Sequence, residues 1–204
     1  YILDEKIEYQ ERKYESKLVK NKKLILNVKK KKKKKIIDLG GKISFPVNIA
    51  VNDLAAHYSP RHDDKLKFKK GDLVKLDVGT HIDGYIADTA KTIEVSTNKY
   101  ANLINASSEA LDLALENIKP DIKLSSIGKM VGEKINTFGF KPINNLTGHS
   151  LKRYILHAGL AVPSYHDITN GSKPKIDDVI AIEPFATDGI GHVIGGKGSN
   201  IYLC

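Results

Sequence analysis

The chain has 204 residues, of which 41% are hydrophobic. These values indicate one globular domain with a substantial core and exclude a disordered chain. No apolar run reaches the roughly 18 residues that span a bilayer, so we expect no membrane partner. The single cysteine, Cys204, excludes an internal disulfide framework and favours a reducing compartment such as the cytoplasm.

The net charge of +9 belongs to the N-terminal segment. Residues 1–35 hold 14 Lys or Arg and 5 Asp or Glu, whereas the remaining residues hold 19 of each sign. The basic composition therefore gives no electrostatic argument for a nucleic-acid-binding surface on the main domain. We accordingly divide the chain into a Lys-rich segment, 1–35, and a main domain, 36–204.

Seven consecutive lysines, Lys29–Lys35, end the first segment. They would repel one another in a compact state, which predicts a solvated extension that is disordered or partly helical. Two other interpretations stay open. The run could bind RNA or the ribosome by releasing counterions from phosphates, or it could mark a frameshift at a long adenine tract.

From residue 36 onward the pattern predicts strands, two helices and then strands again. Gly40–Gly41 predicts a helix stop or turn, and two strand patterns flank a hairpin signal at Asp83–Gly84. This order predicts an α+β domain built on an antiparallel sheet. The strands are expected at Leu73–Val78, Tyr85–Val95, 147–149, 156–157 and 178–185, and the helices from Thr97 or Asn98 to about Ile118 and from Ser125 or Ser126 to about Phe138.

Two carboxylates are expected to share one face of the hairpin. Asp77 and Asp88 both lie in strand patterns. A loop at Ile82–Asp83 would place them opposite each other, and a loop at Asp83–Gly84 would make them diagonal neighbours with Asp77 opposite Ala90. Both registers put the carboxylates on one face, where a bound cation would relieve their repulsion.

Two further residues are candidate metal ligands. His149 follows Gly148, where backbone can approach closely, and Glu183 lies in an apolar strand pattern. With Asp77 and Asp88 they form a donor set that suits Mn, Fe, Co or Zn. Mostly oxygen donors favour a pair of ions, about 3.5–4 Å apart, which could share a hydroxide for hydrolysis.

Whole motifs of the sequence resemble those of the type II, archaeal-like methionine aminopeptidases. The resemblance covers residues 36–204, in the order of the family, and residues 1–35 match it poorly. The motifs that carry it are Phe45-Pro46-Val47-Asn48, residues 52–60 (Asn-Asp-Leu-Ala-Ala-His-Tyr-Ser-Pro), 75–90 (Lys-Leu-Asp-Val-Gly-Thr-His-Ile-Asp-Gly-Tyr-Ile-Ala-Asp-Thr-Ala), 146–149, 155–163 and 181–185.

The resemblance implies a pita-bread fold and a role for each matching residue. Two divalent ions (Co, Mn, Fe or Zn) would be held by Asp77, Asp88, His149 and Glu183. His57 would lie by the substrate and support catalysis, and His157 would contact the substrate and steady the tetrahedral intermediate. The residues that would line the pocket for the methionine side chain are Phe45 and Leu156, and those that match no such role are His62, His81, His166 and His192.

The implied reaction is removal of the N-terminal methionine from nascent polypeptides, by a cytoplasmic monomer, with the ribosome as a further partner. The family has one more bridging glutamate and an inserted helical subdomain downstream of Glu183. We therefore expect a C-terminally truncated chain with an incomplete fold and impaired activity. Two alternatives are an Xaa-Pro dipeptidase or prolidase, and a non-catalytic protein that docks on ribosomal RNA through Lys29–Lys35.

Overall fold

The computed structural model describes residues 24–196 and 201, which divide between two units. In the first unit (described residues 24–99, 196 and 201), helix α1 (Ile25–Asp38) precedes three strands. These are β1 (Lys42–Val51), β2 (Leu73–Ile82) and β3 (Tyr85–Glu94), which form an antiparallel sheet in the order β1-β2-β3.

Helix α1 includes the whole lysine run. Its buried residues, Ile25, Val28, Lys32 and Ile36, recur at helical spacing and belong to the inward face. Lys32 is only 1% exposed, while Lys30, Lys31, Lys33 and Lys34 are exposed. The helical alternative for the run therefore holds, and the boundary expected between residues 35 and 36 falls inside this helix.

The turn between β2 and β3 sets the register of the hairpin. Ile82 pairs with Tyr85, so the loop is Asp83–Gly84, and both loop residues have positive φ (49° and 87°). This is the combination that a type I′ turn requires. Along β2, buried Val74, Leu76 and Val78 alternate with residues of the opposite face, and the buried set packs with α1.

The second unit (residues 100–195) contains two helices and five short strands. Helices α2 (Ala101–Asn117) and α3 (Leu124–Thr137) pack through a core that includes Ala110, Ala114, Ile127, Val131 and Ile135. The strands are β4 (Lys141–Pro142), β5 (Thr147–Leu151), β6 (Ala161–Pro163), β7 (Val179–Ala181) and β8 (Ala186–Thr187). One sheet has the order β6-β5-β7 and the other pairs β4 with β8.

Both predicted helices exist, but each begins at a different residue from the one predicted. Helix α2 begins after Tyr100, and the Thr97 hydroxyl donates a hydrogen bond to Glu94. Helix α3 begins after Lys123, and Ser125 lies buried inside its first turn. Neither N-terminus has a side-chain cap.

Two predicted strands differ from the structure. Leu156 and His157 lie in a loop, because the chain reverses between Lys152 and Ile155 and leaves the sheet there. The strand expected over 178–185 ends at Ala181, and Pro184, which has no N–H, cannot continue the ladder. Glu183 therefore lies just beyond β7.

The remaining architecture agrees with an α+β class built on antiparallel sheets. Within residues 24–196 and 201, no helix combines the length and apolar composition that crossing a membrane would require.

Lys75 on β2 gives the first unit a testable pH dependence. Burial, partly offset by Asp53, lowers the pKa of Lys75 from 10.5 to about 8. Between these values the unfolded state binds more protons than the folded state, so the free energy of unfolding should rise as pH increases from about 8 to 10.5. Urea unfolding of wild type and Lys75→Met across this range measures the effect.

The substitution Lys91→Met, at an exposed position of β3, serves as the control. We expect the Lys75→Met protein to lose part of the rise, whereas Lys91→Met keeps it. Parallel pH profiles for wild type and Lys75→Met would contradict the assignment.

Candidate metal centre

Asp77 and Asp88 lie on one face of the β2–β3 hairpin. The register pairs Asp77 with Ala90 and Gly79 with Asp88, so the two carboxylates are diagonal neighbours. Both are half-buried. The second of the two predicted registers is therefore the correct one.

Phe45 lies on the same face as the two carboxylates. It pairs with Gly79, and a Cβ atom at Gly79 would come 2.1 Å from Phe45 Cε1. The Phe45 ring thus occupies the space that a side chain at position 79 would fill. Position 79 lies opposite Asp88 in the β2–β3 pairing. A glycine at position 79 is what allows this packing.

Asn48 holds one oxygen of Asp77. Its Nδ2 donates a 2.9 Å hydrogen bond to Asp77 Oδ2, and Asn48 itself is 4% exposed. Its Oδ1 is buried and has no hydrogen-bond partner among the residues that the structure describes. The bond fixes the orientation of the carboxylate, as an outer residue commonly does for a metal ligand.

Sequence reasoning gave no role to Asn48 or Lys75. Lys75 is two residues before Asp77 and therefore shares its face, and its Nζ donates to Asn52 O at 2.7 Å. Asn48 could have been recognised as a polar residue between the apolar residues Val47 and Ile49 of a strand. Lys75 could have been placed on the face of Asp77 from the alternation of side chains along β2.

His57 lies in the segment between β1 and β2, in the same unit as Asp77 and Asp88. The residue is exposed and has a φ of 59°, a left-handed conformation that His adopts more readily than most residues. The next residue is fixed, since Tyr58 Oη donates to Asp64 Oδ2 at 2.7 Å. Burial, followed by this hydrogen bond, raises the pKa of Tyr58 to about 12.

In the second unit, His149 and Glu183 point at each other. His149 Nε2 is 3.2 Å from Glu183 Oε1, and the two side chains are 12% and 29% exposed. The His149 Nδ1 atom faces the Ser150 carbonyl at 3.4 Å, which favours Nε2 as the coordinating atom. The pair therefore presents a nitrogen and an oxygen donor toward one position.

The predicted role of Gly148 in this arrangement is confirmed. A Cβ atom at Gly148 would lie 2.2 Å from the Ala181 carbonyl oxygen, so β5 and β7 approach closely only because this residue is glycine. His149 pairs with Ala181 in the same sheet. Close strand pairing thus brings His149 beside the segment that carries Glu183.

His157 contacts His149. Their rings meet edge to face, with centroids 4.4 Å apart and planes at 75°. The loop is fixed by a 2.8 Å hydrogen bond from Ala158 N to Ser150 O. Leu156 and His157, which are predicted to contact the substrate, both lie on the loop that follows β5. His157 is exposed and Leu156 is half-buried.

The other histidines have local structural contacts or exposed positions. His62 and His166 are exposed. His81 lies in β2, and its Nδ1 accepts a 3.1 Å hydrogen bond from Gly84 N at the hairpin turn. His192 contacts the side chains of Asn144 and Asn145.

Comparison with curated proteins finds archaeal relatives. The methionine aminopeptidase of Methanocaldococcus jannaschii is 48% identical over 168 residues, which are 82% of this chain and 56% of that protein. The methionine aminopeptidase of Thermococcus onnurineus is 46% identical over 170 residues, or 83% and 57%. This chain thus spans a little more than half the length of these relatives.

Comparison with solved structures finds the same fold. A methionine aminopeptidase from Thermotoga maritima has a TM-score of 0.81 at 26% identity, with 89% of this chain and 76% of that chain covered. The prolidase from Pyrococcus horikoshii has a TM-score of 0.71 at 23% identity, with 90% and 53% covered. The predicted pita-bread fold class is therefore confirmed.

The model of metallopeptidase family M24 matches residues 7–202, a range that includes all four candidate ligands. The match begins within the segment that the sequence motifs had set apart from the family. The chain belongs to metallopeptidase family M24.

Proposed function

We propose that this chain removes the N-terminal methionine from nascent polypeptides by hydrolysing the first peptide bond. The observation that carries the proposal is the 48% identity, over 82% of the chain, to a protein named methionine aminopeptidase. The carboxylate face of the first unit and the His149–Glu183 pair of the second supply the donor types that such a metallopeptidase needs.

We propose Asp77, Asp88, His149 and Glu183 as the ligands of two divalent ions. Their chemistry fits the group: three carboxylates, one of them oriented by Asn48, and one imidazole whose Nε2 faces a carboxylate. Oxygen and nitrogen donors of this kind suit Co, Mn, Fe or Zn. When bound, the ions lower the pKa of water and polarise the peptide carbonyl.

The protein's own residues would orient the substrate. His157, exposed and held against His149, is placed to donate a hydrogen bond to the oxyanion that forms at the scissile carbonyl. Phe45, packed over Gly79, and Leu156 supply apolar surface for the methionine side chain. We assign His57 to the substrate side of the first unit.

Metal binding tests the division of roles between the two histidines. We expect His149→Ala to weaken Mn²⁺ binding by more than the roughly 10- to 100-fold typical of losing a residue that only orients a ligand. His157→Ala should lower the rate of methionine release while it keeps most of the Mn²⁺ affinity. Isothermal titration calorimetry and peptide hydrolysis measure the two quantities.

His166→Ala, an exposed position, is the control and should leave both quantities unchanged. Equal loss of Mn²⁺ affinity in the His149 and His157 variants would show that His157 is also a ligand. Wild-type affinity in His149→Ala would remove it from the ligand set.

Substrate choice separates an aminopeptidase from the alternative of an Xaa-Pro dipeptidase. Because the prolidase likeness is below 25% identity, it supports the fold and leaves the substrate open. We expect this chain with Mn²⁺ to release methionine from Met-Ala-Ser and to leave Ala-Pro intact, with products measured by chromatography. Cleavage of Ala-Pro with no release of methionine would favour the dipeptidase.

A nascent-chain substrate places the proposed activity in the cytoplasm, and we propose a monomer that also contacts the ribosome. The contact would use the outward face of α1, where four of the seven lysines are exposed. Such a surface attracts phosphates by charge alone. The same surface would serve the alternative of a non-catalytic RNA-binding protein.

Substitution tests this contact better than deletion, because deleting the lysine run would remove half of α1. Changing the four exposed lysines to Gln should weaken binding to purified ribosomal RNA and reduce its dependence on salt. The matched control changes four exposed lysines of the segment before β2 and alters the net charge equally. The two sets are Lys30, Lys31, Lys33 and Lys34, and Lys65, Lys67, Lys69 and Lys70.

Filter binding across a salt series measures both sets of variants. An equal loss of affinity in both would indicate that only net charge matters. That outcome would contradict a docking surface on α1.

A further inference from the structure

The residues after His57 are tied to strand β1. Ile49 N donates to the Tyr58 carbonyl at 2.7 Å, and Ser59 Oγ donates to the Val47 carbonyl at 3.1 Å. Ser59 is 2% exposed. These bonds fix the backbone that leads away from the left-handed residue His57.

A third tie comes from the lysine run of α1. Lys29 Nζ donates a 2.8 Å hydrogen bond to the carbonyl of Pro60, thirty-one residues away in sequence. Pro60 is buried, so its carbonyl needs a partner within the protein. Lys29 is half-buried, in contrast to its exposed neighbour Lys30.

The position of Lys29 is electrostatically unfavourable, which makes the bond informative. Burial, and then repulsion from Lys33, lower the pKa of Lys29. A lysine with no specific acceptor in the protein would keep its ammonium group in water, as long flexible side chains commonly do. Here the ammonium group instead reaches a specific buried acceptor.

We propose that Lys29 is a positioning residue. Through the Pro60 carbonyl it holds residues 57–60, here called the His57 loop, in place. The proposal rests on the proposed function insofar as His57 serves the substrate. It divides the lysine run by helix face: Lys29 supports the loop, and the exposed lysines face solvent.

Four substitutions test the proposal in this chain. Lys29→Met keeps the aliphatic stem and removes the donor, Lys29→Arg keeps a donor, and Lys91→Met removes the same charge from an exposed position of β3. Lys29→Gln, too short to replace the ammonium group, is a second loss-of-donor variant. Each is measured by hydrogen exchange at the Ile49 amide, which donates to the Tyr58 carbonyl and so reports on the loop, by the unfolding midpoint in urea, and by kcat and KM on Met-Ala-Ser with Mn²⁺.

We expect Lys29→Met and Lys29→Gln to speed exchange at the Ile49 amide by about 10-fold. They should lower kcat/KM by about 10- to 100-fold, since small misplacements of a catalytic group have effects of this size. Exchange elsewhere in β1 and β2, and Mn²⁺ affinity, should match the wild type. Lys29→Arg and Lys91→Met should behave as the wild type does.

The outcomes separate this proposal from the proposed function. Unchanged loop exchange and kinetics in both loss-of-donor variants would overturn the positioning role and leave the aminopeptidase assignment intact. Faster loop exchange in a chain that releases no methionine in any variant would support the anchoring and overturn the proposed function. A uniform rise in exchange, with a lower unfolding midpoint, would assign Lys29 to general stability and overturn the positioning role.

Discussion

The two-residue turn at Asp83–Gly84 is the constraint on which the first half of the candidate site depends. It fixes Ile82 opposite Tyr85, and every pair along β2 and β3 follows from that register. One face then carries Val74, Leu76 and Val78 into the core, and the other carries Asp77 and Asp88. A shift of one residue in one strand would place its carboxylate in the core and its apolar residues outside.

The same register sets the chemistry of that face. Two half-buried carboxylates as close neighbours repel each other, and burial costs each of them part of its hydration. Asn48 donates to one oxygen of Asp77, which stabilises the charged form and fixes its direction. A divalent cation is the natural solution for the remaining charge, and membership of a metallopeptidase family agrees with that expectation.

The sequence predicted those features that depend on local periodicity or on a turn. The alternation of β2 and β3 and the Asp83–Gly84 signal were enough to predict that Asp77 and Asp88 share a face, and Gly148 indicated the close approach of β5 and β7. Contacts between residues that are far apart in the sequence could not be predicted in this way. The Asn48–Asp77 bond depends on how β1 pairs with β2, and the Lys29–Pro60 bond on how α1 packs, and neither follows from local pattern.

Composition was least informative where it looked most extreme. The seven lysines predict a solvated segment, yet position on a helix decides their environment: Lys32 is buried, Lys29 bonds to Pro60, and Lys30 faces solvent. Likewise, Glu183 fits a strand pattern, but β7 ends at Ala181, and Pro184 cannot donate to a ladder that would continue past it, so Glu183 lies beyond β7. Both cases show tertiary packing and backbone chemistry overriding a one-dimensional pattern.

We propose that Asp77, Asp88, His149 and Glu183 are ligands of divalent metal. Anomalous diffraction from crystals of this chain grown with Mn²⁺ tests it most directly, because the signal locates the ions without reference to activity. We expect anomalous peaks about 2.0–2.3 Å from the ligand atoms of these four side chains. Well-ordered crystals with Mn²⁺ bound elsewhere, or with no anomalous peak beside these residues, would contradict it.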